Sequence, residues 1–302
     1  MPLFPADGWD KIALRKASLL CCKHYLKGDV VSAQCNLIIG SCCDLPLDLV
    51  QQEGVQLIDF NYIIDDKTFK DDFYQSVTPK EFYDNIRNGA TPSTSQVAPA
   101  ETEAAFRNAI ESGVPTVYLC FSSGLSSNYS TAYAIWSQLK AEHPEAPIYI
   151  VDLLIGSTPE GLLVLEALRQ RESGLTAEEM VAWAEEARYF VQTLFMVDDL
   201  DALHRGGRIP ASVAFAGSKL DLKPLLNFDT NGKLSLAGAS HGRKKGLKQL
   251  ASFYEKAHAE HSNFALIGHA DSEKDADRVC ELLAKQDDSI TVVKHNIGAT
   301  IG

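Results

Sequence analysis

The stretch TVYLCFSSGLSSNYSTAYAIW, residues 116–136, decides the fold. It opens with an apolar run that predicts a buried strand over residues 117–121. A turn rich in small hydroxyl residues follows at 122–128, and a helical pattern begins directly after it. A strand that passes through a short turn into a helix is the repeating unit of α/β domains.

Strands and helices alternate on both sides of this stretch, from Cys35 to residue 193. The strands up to Asp152 are continuously apolar, which predicts a parallel sheet with helices on both faces. We therefore expect a three-layer α/β domain over residues 35–193. Within it, TPKEFYDNIRNG predicts a helix with Thr78 as its N-cap and Pro79 in its first position.

The pattern changes after residue 193, and residues 194–302 predict a smaller mixed α+β domain. The stretch FDTNGKLSL predicts a hairpin with Asn231-Gly232 as a two-residue turn. Residues 1–34 predict an N-terminal extension whose helix packs on the domain surface. No low-complexity linker separates the two domains, so we expect them to pack closely, with a ligand between them.

The composition excludes several classes of function. The 302 residues are 45% hydrophobic and carry a formal net charge of −12, which argues against binding to nucleic acid or to an anionic membrane surface. The seven cysteines form no C-x-x-C pair, so we expect neither a disulfide framework nor a structural metal site. Without a secretory signal, a membrane-spanning run or a nucleotide-binding motif, the sequence predicts a cytoplasmic protein with no transmembrane segment and no cofactor.

Small hydroxyl or thiol residues are concentrated in three turns, at residues 40–44, 91–96 and 122–128, which we call the first turn, the second turn and the serine-rich turn. Turns at the carboxyl ends of parallel strands lie along one rim of a sheet, where helix N-termini offer free N–H groups. Added hydroxyls would give an anion-binding pocket without formal charge. The alternative is that these residues are only N-caps, and we expect that role for Asp44 and most of the serines.

The serine-rich turn also resembles part of a nucleophile elbow. Gly124-Leu125-Ser126-Ser127-Asn128 has the first glycine and the serine of G-x-S-x-G, but Asn128 stands in place of the second glycine. A serine hydrolase acting on a lipid-like ester is therefore the alternative function, and it requires a histidine within hydrogen-bond reach of Ser126.

A series of short motifs follows a specific order along residues 36–302. The motifs are Asp44-Leu45-Pro46, Thr94-Ser95-Gln96, Ser122 to Ser126, Leu203 to Ile209 (LHRGGRI), Lys223-Pro224-Leu225 and Gly298 to Gly302 (GATIG). In this order and spacing the sequence resembles the DegV family. The resemblance implies a two-domain lipid-binding protein that buries the acyl chain of one fatty acid and hydrogen-bonds its carboxylate near the domain interface.

The resemblance also implies a partner and a set of site residues. Family members serve as the non-catalytic binding subunit of a fatty-acid kinase, whose separate ATP-using subunit makes the acyl phosphate. Thr94 and Ser126 are the implied carboxylate contacts, and Arg208 is the implied residue for docking the kinase subunit or for meeting the phosphate. Arg243 begins a basic stretch that extends this docking surface if it lies beside Arg208. The whole set of expected ligand-binding residues is Ser41, Thr94, Ser95, Ser123, Gly124 and Ser126.

Two features depart from the family pattern. Gly40 stands where the family has an aspartate before the serine of the first turn. The family's glycine-rich strand runs on from GATIG into a histidine that completes the carboxylate site, so we expect further residues after Gly302. A carrier of another amphipathic carboxylate, outside any kinase system, remains open beside the fatty-acid carrier and the hydrolase.

Overall fold

The computed structural model of the protein describes residues 32–211, 222–257 and 263–302. The helix expected in the N-terminal extension falls on residues 1–31, outside these ranges. The strands are β1 (Asn36–Gly40), β2 (Val55–Ile58), β3 (Phe60–Ile64), β4 (Lys67–Asp71), β5 (Ser93–Ser95), β6 (Thr116–Cys120), β7 (Ile148–Asp152), β8 (Phe195–Met196), β9 (Leu222–Phe228), β10 (Leu234–His241), β11 (Phe264–His269) and β12 (Thr291–Asn296). The helices are α1 (Leu47–Val50), α2 (Pro79–Arg87), α3 (Pro99–Ser112), α4 (Asn128–Glu142), α5 (Thr158–Glu172), α6 (Ala177–Ala187), α7 (Asp201–Arg205), α8 (Arg243–Ala257) and α9 (Glu273–Ala284).

A four-stranded parallel sheet of order β2-β1-β6-β7 forms the centre of the first half. Alternate residues of β1 point to opposite faces, as the pleat of a strand requires. Leu37 and Ile39 belong to one buried cluster, which includes residues of α5 and α6. Ile38 belongs to a second, which includes residues of α3 and α4. Helices therefore cover both faces, and the predicted α/β fold class is confirmed.

A separate antiparallel sheet of order β4-β3-β5 interrupts the parallel pattern. The apolar run that the sequence presents as one strand is divided into β2 and β3, and β3 turns back at Asp65-Asp66. Both aspartates have positive φ, 50° and 61°, which is the geometry of a two-residue hairpin turn. The expectation that all strands before Asp152 join the parallel sheet is therefore wrong for β3 to β5.

Mixed elements make up residues 194–302. Strands β10, β9 and β8 form an antiparallel sheet, while β11 and β12 pair in parallel beside α8 and α9. In the β9–β10 hairpin the N–H of Gly232 donates to Asp229 O, and Gly232 itself lies in the left-handed region. This is a three-residue loop of residues 230–232, so the predicted two-residue turn is wrong by one residue.

The chain returns to the first half after β12. Residues 297–302, which we call the return segment, pack Ala299 against Tyr62, Phe82 and Tyr83. The hydroxyl of Tyr74 donates to Ile297 O at 2.6 Å. The antiparallel sheet region of the first half is thus completed by residues from the far end of the sequence.

Candidate functional site

The first turn and the serine-rich turn lie side by side because β1 and β6 are neighbours in the sheet. The other neighbour of β1 is β2, on one side of the sheet, and the other neighbour of β6 is β7, on the opposite side. The strand order therefore reverses between β1 and β6. Ligands of open α/β sheets bind in the crevice outside the carboxyl ends of the strands at this point. The two turns stand on either side of that crevice.

The first turn is mostly occupied by internal contacts. Ser41 is 2% exposed, and its hydroxyl accepts the N–H of Phe60 at 3.0 Å. Asp44 has φ 57° and accepts a bond from Gly298 N at 2.8 Å and another from Ser157 Oγ at 2.6 Å. The prediction that Asp44 is an N-cap is wrong, because its carboxylate holds the return segment instead.

The serine-rich turn presents its hydroxyls unevenly. Ser122 is fully buried, whereas Ser123 is exposed and donates its N–H to Asp152 Oδ1 at 3.1 Å. Ser126 is half-buried, and its hydroxyl accepts the N–H of Asn128 at 3.2 Å. The Gly124 N–H already donates to Ser122 Oγ at 3.1 Å. Ser123 and Ser126 therefore remain the accessible hydroxyls among the expected residues of this turn.

Gln96 joins the second turn to the serine-rich turn. Its side-chain oxygen accepts from Ser127 Oγ at 2.8 Å, and its amide nitrogen donates to Thr131 Oγ1 at 3.0 Å. The main-chain carbonyl oxygen of Gln96 accepts a hydrogen bond from Asn61 Nδ2 at 3.2 Å. Gln96 belongs to the Thr94-Ser95-Gln96 motif but had no predicted role; its place at the end of a strand of hydroxyl residues was the available signal.

Thr94 and Ser95 occupy successive positions of β5, so their side chains point to opposite faces. Thr94 pairs with Tyr62 of β3 and is half-buried, whereas Ser95 pairs with Asn61 and is exposed. Only one of the two hydroxyls can therefore face a given ligand. Among the residues that the structure describes, Thr94 Oγ1 has no hydrogen-bond partner, so this hydroxyl is available to a ligand.

The two expected docking arginines differ in their surroundings. Arg208 donates from Nε to the carbonyl oxygen of Leu125 at 3.0 Å, inside the serine-rich turn. Arg243 forms ion pairs with Asp198 at 2.9 Å and with Asp275. Arg208 therefore lies at the candidate site, whereas the charge of Arg243 is compensated within the chain.

A cluster of acids and thiols lies beneath the first turn. Glu160, at the start of α5, is fully buried, and both of its carboxyl oxygens lack a hydrogen-bond partner among the described residues. Burial raises the pKa of Glu160 well above its usual range, and Asp44 adds to the effect. Burial likewise raises the pKa of the Cys42 and Cys43 thiols well above their usual range, which keeps both protonated and unreactive.

Asp71 reinforces the hold on the return segment. Its two carboxylate oxygens accept the N–H groups of Ala299, at 3.2 Å, and of Thr300, at 2.8 Å. Burial raises the pKa of Asp71, and the bond from the Thr300 N–H partly offsets that effect. Sequence reasoning missed this residue, because nothing local connects Asp71 with a segment more than two hundred residues away.

Two histidines, His269 and His295, are buried in β11 and β12. His269 accepts the N–H of Ser272 at 3.3 Å, just before α9, as a capping histidine does. Burial lowers the pKa of His295, which is 6% exposed. Within residues 32–211, 222–257 and 263–302, no histidine forms a hydrogen bond with Ser126. The geometry that the hydrolase alternative requires is thus missing from the described part of the chain.

A cleft of about 210 Å³ lies between the first turn and the return segment. Its walls combine polar and apolar groups: Ser41, Asp44, Leu45, Pro46, Asp71, Phe73, Tyr74, Pro79, Lys294, His295, Asn296 and Gly298. Neither Thr94 nor Ser126 lines it, so it is distinct from the site that these two residues would form. Across the described residues, no group of three or more acidic, histidine or cysteine side chains could hold a metal ion. In the same residues, no helix has the length and apolarity needed to cross a membrane.

A family model described as "Uncharacterised protein, DegV family" matches residues 34–302. The chain belongs to the DegV family. Among its DegV relatives, a DegV domain-containing protein of Clostridium perfringens is 34% identical over 267 residues, which cover 88% of this chain and 92% of that protein.

Solved DegV structures share the fold along nearly the whole match. A DegV protein from Bacillus subtilis, described as a fatty acid binding protein, has a TM-score of 0.75 at 26% identity and covers 90% of this chain and 95% of its own. A fatty acid binding DegV family protein from Streptococcus agalactiae has a TM-score of 0.76 at 27% identity, and the match covers 89% of this chain and 94% of that protein. The Fatty Acid Kinase B3 protein of Streptococcus pneumoniae, loaded with linoleic acid, has a TM-score of 0.76 at 17% identity, with 88% and 93% covered, and so bears on the fold alone.

Proposed function

We propose that this DegV protein is a fatty-acid carrier that buries the acyl chain and presents the carboxylate to a partner kinase. In this proposal Thr94 and Ser126 hydrogen-bond the carboxylate, and Ser123 contributes a further hydroxyl at the rim. The observation that carries the proposal is the Gln96 bridge, which joins the strand of Thr94 to the turn of Ser126.

Neutral donors suit a carboxylate that must later react. An ionised carboxylate loses its hydration when it is buried, and hydrogen bonds must replace it. Hydroxyl donors do so without the bidentate pairing that a free arginine would impose. One carboxylate oxygen thus stays accessible to attack the γ-phosphorus of ATP, as the bond from that phosphorus to the bridging oxygen breaks and ADP leaves.

The comparisons support a fatty acid as the ligand. The relatives from Bacillus subtilis and Streptococcus agalactiae, at 26% and 27% identity, are both described as fatty acid binding. The kinase partner rests on the ordered motifs of the sequence, which resemble those of the binding subunits of fatty-acid kinases. Because that partner would use ATP, the proposal places the carrier in the cytoplasm.

Arg208 is the proposed contact with the kinase subunit. It is only half-buried and lies against Leu125 of the serine-rich turn, so a partner bound there would reach the carboxylate. We no longer assign Arg243 to docking, since Asp198 and Asp275 already pair with it.

Native mass spectrometry of the purified protein tests the ligand directly. The expected result is a co-purifying mass of one fatty acid per chain, lost on delipidation and restored by added palmitate. Turnover of a chromogenic ester that Ser126→Ala abolishes and Ser137→Ala does not would instead establish the hydrolase. Ser137 is the matched control because it is an exposed serine on α4, the helix that follows the serine-rich turn.

The kinase role has its own test. Delipidated protein is reloaded with radiolabelled palmitate and mixed with ATP and the fatty-acid kinase subunit of the same organism. Acyl phosphate should form, and Arg208→Ala should raise the concentration of carrier needed for half-maximal rate. A rate that does not depend on the carrier would remove the kinase role and leave only binding.

A further inference from the structure

The tip of the β9–β10 hairpin, residues 229–233, lies against the serine-rich turn. The hydroxyl of Ser122 donates to Gly232 O at 2.8 Å, across 110 residues of sequence, and accepts the Gly124 N–H at 3.1 Å. Ser122 is 0% exposed. One buried hydroxyl thus connects the hairpin tip to the backbone of the turn, and its only donor hydrogen is used, so it cannot donate to a carboxylate.

The two backbones approach too closely for a side chain at either glycine. A Cβ on Gly124 would lie 2.6 Å from Asn231 O. A Cβ on Gly232 would lie 2.9 Å from Leu154 Cα and would overlap Ser122 Oγ. Gly232 also has φ 72°, a conformation that other residues adopt only with strain. Glycine at these two positions therefore makes the contact possible.

The hairpin tip is held in one conformation by its own hydrogen bonds. The carboxylate of Asp229 accepts the N–H of Asn231 at 2.8 Å and that of Lys233 at 3.0 Å. Asp229 N also donates to Lys233 O at 2.8 Å. Because the hairpin tip is itself rigid, its contact can fix the conformation of the serine-rich turn.

A second contact from the same half of the chain holds the other end of the turn. Arg208 Nε donates to Leu125 O at 3.0 Å, so the turn is held at Ser122 and at Leu125, on either side of Gly124. Ser126, the proposed carboxylate donor, comes directly after the second of these contacts.

We propose that the hairpin tip positions the carboxylate site, with Gly232 and Ser122 as positioning residues that act through the serine-rich turn. This inference deepens the fatty-acid-binding function proposed above and rests on it. The hairpin sets the orientation of Ser126 and of the neighbouring N–H groups, and so sets the preference for a carboxylate over an uncharged headgroup. It does not contact the ligand itself.

Hydrogen exchange of the delipidated protein tests the contact without any ligand. Gly232→Ala should increase amide exchange in residues 122–128 about 10-fold. Gly238→Ala is the matched control, because it lies on β10 in the same hairpin and a Cβ there would meet no atom within 4 Å. Unchanged exchange in Gly232→Ala would overturn the proposal, and Ser122→Ala provides the same measurement if Gly232→Ala does not fold.

Ligand selectivity tests the consequence. The ratio of the Kd for hexadecanol to the Kd for palmitate should fall about 10-fold in Gly232→Ala and in Ser122→Ala, with the Kd for hexadecanol unchanged. An equal loss for both ligands would indicate a merely structural role and overturn the proposal. Wild-type protein that binds neither ligand would contradict the proposed function, while the exchange experiment would still decide the role of the hairpin.

Discussion

At the scale of single residues, the site combines side chains with very different freedom. Thr94 Oγ1 is unoccupied among the described residues, whereas Ser41 is 2% exposed and Ser122 uses its donor hydrogen on Gly232 O. Sequence could list the hydroxyls but could not rank them, because their partners lie 19 and 110 residues away. The residues proposed for binding are those that folding leaves available.

Thr94→Val keeps the shape of the side chain and removes the hydroxyl. A hydrogen bond to a charged group contributes about 1.5–3 kcal/mol, so the Kd for palmitate should rise about 10- to 100-fold. Displacement of a fluorescent fatty acid measures the change. Thr68→Val is the control, since Thr68 is exposed in the same antiparallel sheet, and an equal effect there would contradict the role of Thr94.

Glu160→Gln should stabilise the protein increasingly as the pH rises. The folded-state pKa of Glu160 is raised by burial, so its contribution to stability is fully present below the unfolded value, about 4.3, and is lost as pH rises towards the folded value. The glutamine of the variant does not ionise, so the variant does not lose stability in this way as the pH rises. The difference in free energy of unfolding between variant and wild type should therefore grow between pH 4 and pH 8 in urea titrations.

The exposed Glu172, at the end of the same helix, provides the control. Glu172→Gln should change the free energy of unfolding by less than about 0.5 kcal/mol at any of these pH values, as surface substitutions usually do. A pH-independent difference for Glu160→Gln would show that its carboxyl group is not strained by burial.

At the scale of elements, the parallel strands and most helices were predictable, and the antiparallel sheet was not. The capping box at Thr78 and Glu81 is local, so the helix it starts was predicted with the correct N-cap. The division of one apolar run into β2 and β3 falls at Asp59, a single residue that no local pattern marks as a break. The loop of residues 230–232 differs from prediction because only Gly232 has a positive φ, whereas a two-residue type I′ turn would also need one at Asn231.

Asp71→Asn should loosen the return segment. The substitution replaces one accepting oxygen with an N–H donor that faces another donor, so a buried hydrogen bond is lost at a cost of about 1–3 kcal/mol. Amide exchange of residues 298–300 should rise, and urea unfolding should report the loss. Asp66→Asn is the control, because Asp66 is exposed and asparagine tolerates its positive φ.

At the scale of the whole molecule, the two halves share a core. The buried cluster on one face of the parallel sheet includes Phe264 from β11, with Phe228 and Val293 packed against it. The hairpin tip and the return segment form two further contacts between the halves. The expectation of closely packed halves agrees with these contacts, whereas the boundary proposed near residue 193 stays a prediction.

The acyl chain, not the headgroup, should supply most of the affinity. Each buried methylene contributes about 0.8 kcal/mol, so laurate, with four methylenes fewer than palmitate, should bind on the order of 100-fold more weakly. Calorimetry across saturated acids of even length measures the slope. Equal affinities from C12 to C16 would mean that the tail is not buried, which no variant of the headgroup site could explain.

The long reach of Asp44 has a consequence for biosynthesis. Its carboxylate meets the Gly298 N–H, 254 residues downstream. At roughly 5–20 residues per second, the ribosome needs about 13 to 50 s to deliver that partner. We expect nascent chains arrested before residue 297 to be cleaved by protease within residues 41–74 more readily than chains extended past residue 302, because the bond between Asp44 and Gly298 cannot form earlier.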